Sequence, residues 1–107
     1  MESKFQRNAL KLLSLIPESY WFKVVVANDK GTLDVAGGIS GRAFFIELKD
    51  DQNEPDAMQQ FRIQQAQDAK CVAFFANSIG MLCEGLERNG IPTSMYWPRV
   101  RKRVRSI

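Results

Sequence analysis

Asp34, Glu47 and Lys49 are the side chains in this sequence best suited to chemistry. They sit in residues 30–49, KGTLDVAGGISGRAFFIELK, which read as two short strands joined by a glycine-rich turn. Asp34 falls at the start of the first strand, and Glu47 and Lys49 at the end of the second. Side chains alternate along a strand, so Phe44, Ile46 and Leu48 face one way and Phe45, Glu47 and Lys49 the other. A hairpin can set Asp34 beside Glu47 on that second face. Two carboxylates with an ammonium beside them offer a seat for a hard divalent cation and an activated water. Taken singly the pieces say little. An acid and a lysine two apart on a strand are most often a solvated face or a surface ion pair, and Asp34 alone reads as a turn residue.

Composition narrows the chemistry. The chain of 107 residues contains no histidine, which removes histidine-based triads, general bases and zinc sites. Its two cysteines, Cys71 and Cys83, form no CxxC and read as small core residues. A disulfide framework is not expected, and a reducing cytoplasm is. No apolar run is long enough to span a membrane, and the N-terminus lacks the apolar core of a secretory signal. The net charge of +3 hides an asymmetry. Arg99, Arg101, Lys102, Arg103 and Arg105 lie in the last nine residues, which hold no acid, so the remainder carries −2. A basic tail on a mildly acidic body suggests a polyanionic partner, most simply nucleic acid.

The elements that position these residues follow from patterning. Residues 2–16 read as an amphipathic helix with Phe5, Ala9, Leu12, Leu13 and Ile16 on one stripe, ended by Pro17. Glu2 falls on that stripe. It reads either as an acid favoured by the helix dipole or as a third carboxylate facing a metal site. Residues 20–27 read as a strand, 28–31 as a turn and 33–39 as a second strand, with Leu33 and Val35 on one face and Asp34 on the other. Gly37, Gly38, Ser40 and Gly41 are read as the turn into a third strand, 42–49. A second helix is expected over about 54–69, with Met58, Phe61, Gln65 and Ala69 sharing a face. Residues 71–76, CVAFFA, suit a central strand buried on both faces. Asn77 and Ser78 can cap a third helix over about 79–89, with Leu82, Cys83 and Leu86 inward and Gly90 as its stop.

The order helix, three strands, helix, strand, helix, with Asp34, twelve intervening residues and then Glu47-Leu48-Lys49, resembles the PD-(D/E)XK nuclease superfamily. Within it the likeness is to the small VRR-NUC domains of the stand-alone phage type. Glu2 followed by Phe5-Gln6 looks like the family's first-helix acid. Gly31-Thr32-Leu33-Asp34 looks like its G-x-P-D element, with Leu33 where the motif has proline. Phe45-Ile46-Glu47-Leu48-Lys49 looks like its E-x-K strand. Asp56-Ala57-Met58-Gln59 looks like its T-x-x-Q helix start, and Ala69-Lys70 stands where the family often has Ala-Gly.

That resemblance implies an α/β (α+β) fold with a restriction-endonuclease-like αβββαβ core, a mixed central sheet flanked by helices. It implies a nuclease domain over 1–94 and a basic extension over 95–107. Asp34, Glu47 and the Leu48 backbone carbonyl would hold Mg²⁺ or Mn²⁺, with Glu2 acting through water. Lys49 would orient or help deprotonate the attacking water. Gln59 would fix a strand-end backbone group or the nucleophile, and the Gly31 and Gly37-Gly38 turns would admit the DNA backbone. The implied activity is hydrolysis of phosphodiester bonds in branched or double-stranded DNA, Holliday junctions above all. The enzyme would work as a homodimer, phage-encoded and in the bacterial cytoplasm, with no membrane partner. The strand over 71–76, Tyr96-Trp97 and the tail are candidate dimer surfaces.

Competing readings are a flap or nicking endonuclease of phage replication and repair, an inactive nucleic-acid-binding module that keeps the fold, and an interaction module whose tail binds RNA or a protein. For the tail, the expected result is concrete. Removing residues 99–107 weakens DNA binding and makes the slope of log affinity against log salt less negative, by about 0.9 for each phosphate that the tail had neutralised. Unchanged binding by the truncated chain would assign the tail elsewhere.

Overall fold

A computed structural model describes residues 3–24, 33–50 and 54–93. The elements run α1 (Lys4–Leu15), β1 (Ser19–Lys23), β2 (Val35–Ile39), β3 (Arg42–Leu48), α2 (Ala57–Asp68), β4 (Val72–Ala76) and α3 (Ile79–Arg88). The expected order of helix, three strands, helix, strand, helix is therefore present, in a mixed α/β fold.

The four strands make one sheet in the order β1-β2-β3-β4. β1, β2 and β3 are antiparallel neighbours, and β4 joins β3 in parallel through the α2 crossover. Among the described residues β4 is thus an edge strand of this sheet rather than the central one expected, although Val72, Ala73, Phe74 and Ala76 are all buried. Helices cover its two faces, so continuous apolar character reported double-sided burial and not central position.

β2 and β3 are joined by two residues, Ser40 and Gly41, with φ of 49° and 80°. Positive φ at both positions is the hairpin turn whose twist matches the strands. Gly37 and Gly38 are not part of it; they lie inside β2. A Cβ at Gly37 would overlap the backbone of Tyr20 and Trp21, so this glycine serves the close approach of β1 and not that of a ligand.

One face of the sheet carries the main core. Val35, Ile39, Phe44, Ile46, Leu48, Val72 and Phe74 pack there with Leu12 and Leu13 of α1 and Leu82 and Leu86 of α3. α2 lies on the other face, where Leu33, Ile63 and Ala73 form a smaller cluster with Phe45, Ala66 and Phe75. Leu33 and Val35 therefore belong to opposite faces, contrary to the alternation expected of them. The chain bends at Asp34, just before β2 begins, and the bend resets the alternation.

The helices begin on side-chain caps. Ser3, Asp56 and Ser78 each accept a hydrogen bond from an amide three residues on. α1 starts two residues later than expected, and Glu2 lies outside the described residues, as do 25–32, 51–53 and 94–107. α2 presents Ile63 to the sheet, with Gln59 and Ala66 half-buried. The face of Met58, Phe61, Gln65 and Ala69 turns outward instead. Apolar residues are scattered round this helix, so periodicity selects no face, and contacts with the sheet decide it.

Both α2 and α3 end in the same motif. After α3, Gly90 has φ 82°, the Gly90 N–H donates to Glu87 and the Ile91 N–H to Leu86. After α2, the equivalent residue is Lys70 with φ 70°, and Lys70 and Cys71 donate to Gln67 and Ala66. The position of the missing glycine in Ala69-Lys70 is thus one that suits glycine, and a lysine there costs roughly 1 kcal/mol. Cys71 and Cys83 are free thiols, each half-buried rather than fully in the core. Burial pushes the Cys83 thiol above its usual range, in keeping with an unreactive sulfur. Among the described residues no helix is long and apolar enough to cross a membrane.

Candidate functional site

The end of the β2–β3 hairpin brings Asp34 and Glu47 together. Val35 pairs with Ile46, so the two acids stand one step further along, just beyond the last bridge. Each fastens the other's strand. The Asp34 N–H donates to Glu47 Oε1 at 3.2 Å, and the Leu48 N–H donates to Asp34 Oδ2 at 3.2 Å. Side-chain oxygens thus replace the ladder where the backbone bends. The Asp34 carbonyl accepts from the Val24 N–H at 2.7 Å and ties the bend to the end of β1.

Glu47 is the most constrained group. It is 3% exposed, on the face of the sheet that α2 covers. Its Oε2 accepts from Gln59 Nε2 at 2.8 Å and lies 3.4 Å from Lys49 Nζ. Gln59 is set by its own cap: its Oε1 accepts from the Asp56 N–H at 3.0 Å, while its N–H donates to Asp56 Oδ1 at 2.8 Å. The reciprocal capping box fixes which end of the carboxamide is oxygen and leaves the NH₂ for the carboxylate. Gln59 accordingly holds the carboxylate of Glu47, not a strand-end backbone group.

Burial raises the pKa of Glu47 to about 7, helped by the negative charge of Asp34 and opposed by Lys49. The carboxyl therefore holds its proton near neutrality when nothing else balances it. Lys49 is partly exposed, with 26% of its side chain accessible, and its N–H donates to Ala76 at 3.0 Å. The Lys49 backbone is thus held at the junction of β3 and β4, while its ammonium reaches Glu47.

Sequence reasoning passed over three contributors. Gln6 of α1 donates from Nε2 to the Leu48 carbonyl at 3.4 Å. Ser3 Oγ caps α1 by accepting from the Gln6 N–H at 3.1 Å, and it donates to Asp50 Oδ1. These bonds dock the start of α1 on the end of β3. The Ser3-x-x-Gln6 spacing was the available signal, since it marks a helix N-cap. Ser3 is the residue directly after Glu2.

Of the expected site residues, Asp34, Glu47, Leu48, Lys49 and Gln59 are brought together. Glu2 lies outside the described residues, as do Gly31 and the cations Arg99, Arg101, Lys102, Arg103 and Arg105. Among the described residues no group of three or more His, Cys, Asp or Glu is gathered where it could hold a metal ion. The described part of the site is thus a carboxylate pair with an amine and an amide. The two carboxylates offer a cation oxygen donors, which suits Mg²⁺ or Mn²⁺. A divalent ion would also balance the charge that burial and Asp34 make costly on Glu47. Comparison of the chain with protein-family models, with curated proteins and with solved structures gives no match.

Proposed function

We propose that this protein is a Mg²⁺- or Mn²⁺-dependent endodeoxyribonuclease with a restriction-endonuclease-like core of the VRR-NUC kind. One observation carries the reading: Asp34 and Glu47, thirteen residues apart, are cross-linked at the end of one hairpin with Lys49 and Gln59 on Glu47. Those are the positions at which the sequence resembles the nuclease motif.

Asp34, Glu47 and the Leu48 carbonyl would hold the ion, with Glu2 completing its shell. Once bound, such an ion supplies a polarised water and positive charge against the phosphate. The protein's own groups do the rest. Gln59 keeps the Glu47 carboxylate aimed by a hydrogen bond that its cap enforces. Gln6 and the Ser3–Asp50 pair steady the Leu48 carbonyl from the side of α1. Lys49 places a positive charge beside Glu47, where its N–H groups can orient an attacking water. Among substrates we favour branched DNA, with junction resolution by a homodimer in a bacterial cytoplasm as the specific form.

A cleavage panel tests this. Four-way junction, flap, duplex and single-stranded DNA are incubated with the protein in Mn²⁺ and in EDTA. Cutting of a branched substrate in Mn²⁺ alone is the expected result. Equal cutting by wild type and Asp34→Ala would show a contaminant at work and end the assignment.

A further inference from the structure

We propose a second site, a phosphate-binding cleft formed by Arg42, Lys70 and Arg88 at the end of the sheet away from the acids. The proposal does not depend on the nuclease reading. Arg42 opens β3, while Glu47 lies five residues along it, roughly 17 Å away at about 3.3 Å per residue. A cleft of about 400 Å³ there is lined by Arg42, Gln67, Lys70, Cys71, Ala73, Arg88 and Asn89. Three of these seven are cations, and none is acidic.

The neighbouring acids have other partners. Asp68 accepts from Gln64 Nε2 at 2.9 Å, and Glu87 accepts from the Thr93 hydroxyl at 3.2 Å. Arg42 is anchored, with Nη1 donating to the Asn89 carbonyl at 2.8 Å. That bond uses one of its five N–H groups and fixes the guanidinium at the cleft. The C-terminal ends of α2 and α3 both reach this place, and their dipoles ease the gathering of like charge. They do not explain Lys70. Its φ of 70° is the conformation that Gly90 takes at the matching point of α3. A lysine kept where glycine would fit with less strain points to a use for its ammonium. An oxyanion with several acceptor oxygens, a phosphate group, matches three cationic donors that line one cleft.

The test uses the full chain in EDTA, with amide NMR shifts followed during titration with inorganic phosphate and, separately, with a short single-stranded DNA. The expected result is saturable shifts at Arg42, Lys70, Cys71 and Asn89. Lys70→Gly should raise Tm yet weaken phosphate binding about tenfold, the worth of one charge-assisted hydrogen bond. Arg42→Gln and Arg88→Gln, both at exposed positions, should weaken binding with the fold unchanged. Shifts at these amides with DNA identify a backbone phosphate as the occupant; shifts with phosphate alone identify a small phosphate ligand. Shifts confined to the tail, shifts that never saturate, or Lys70→Gly binding as tightly as wild type would overturn the proposal.

Discussion

Glu47→Ala is expected to lower Mn²⁺-dependent DNA cleavage by about 10²–10³-fold or more, since a metal ion supplies several kcal/mol to the transition state. The same change should remove any stabilisation of the fold by Mn²⁺. Glu47 is the point where the site's hydrogen bonds meet: the Asp34 amide, the Gln59 carboxamide and the Lys49 ammonium all address it. Truncation takes the carboxylate from all three donors but also deletes a group that is costly to ionise, so the fold should survive. Asp34→Ala should cost as much, and the double variant little more, because ligands of one ion act as a unit. Gln59→Ala should cost less, about 10–100-fold, since it orients a ligand without being one. Additive losses, or Mn²⁺ stabilisation that persists in Glu47→Ala, would show that the acids serve only to cap the hairpin.

The second large effect needs no DNA. In metal-free protein, stability should fall as pH rises from about 5 to 8. The sign follows from linkage. Glu47 binds its proton more tightly folded, at about 7, than at its ordinary value of 4.5. Between those values the folded state carries the extra proton, so raising the pH favours unfolding. The full span, with the lowering by Lys49 already included, corresponds to about 3 kcal/mol at most. Glu47→Gln cannot ionise and should flatten the curve, at a cost that does not vary with pH because its NH₂ must face either the Asp34 N–H or the Gln59 NH₂. Millimolar Mn²⁺ should flatten the wild-type curve in the same direction. Parallel curves for wild type and Glu47→Gln across this range would mean that Glu47 is ionised throughout and is not strained by its surroundings.

Much of this molecule could be read from local chemistry. Turn residues, N-caps and apolar runs placed three helices and four strands in their order, because each depends on neighbours within a few residues. Ser78 and Gly90 bound α3 for that reason. That a hairpin can set Asp34 beside Glu47 was legible too, from the alternation along two strands joined by a glycine-rich turn, whereas the structure confined that turn to Ser40 and Gly41. What tertiary structure alone decided was which way things face. α2 has no apolar stripe of its own, so the sheet and the Glu47–Gln59 bond turned it, and Phe61 went outward. The bend at Asp34 sent Leu33 to the opposite side from Val35. Among the described residues β4 stands at an edge, because strand order depends on which partner the crossover reaches, not on the strand's composition. The raised pKa of Glu47 is likewise a property of burial, and no residue's sequence neighbours state how deeply it will lie.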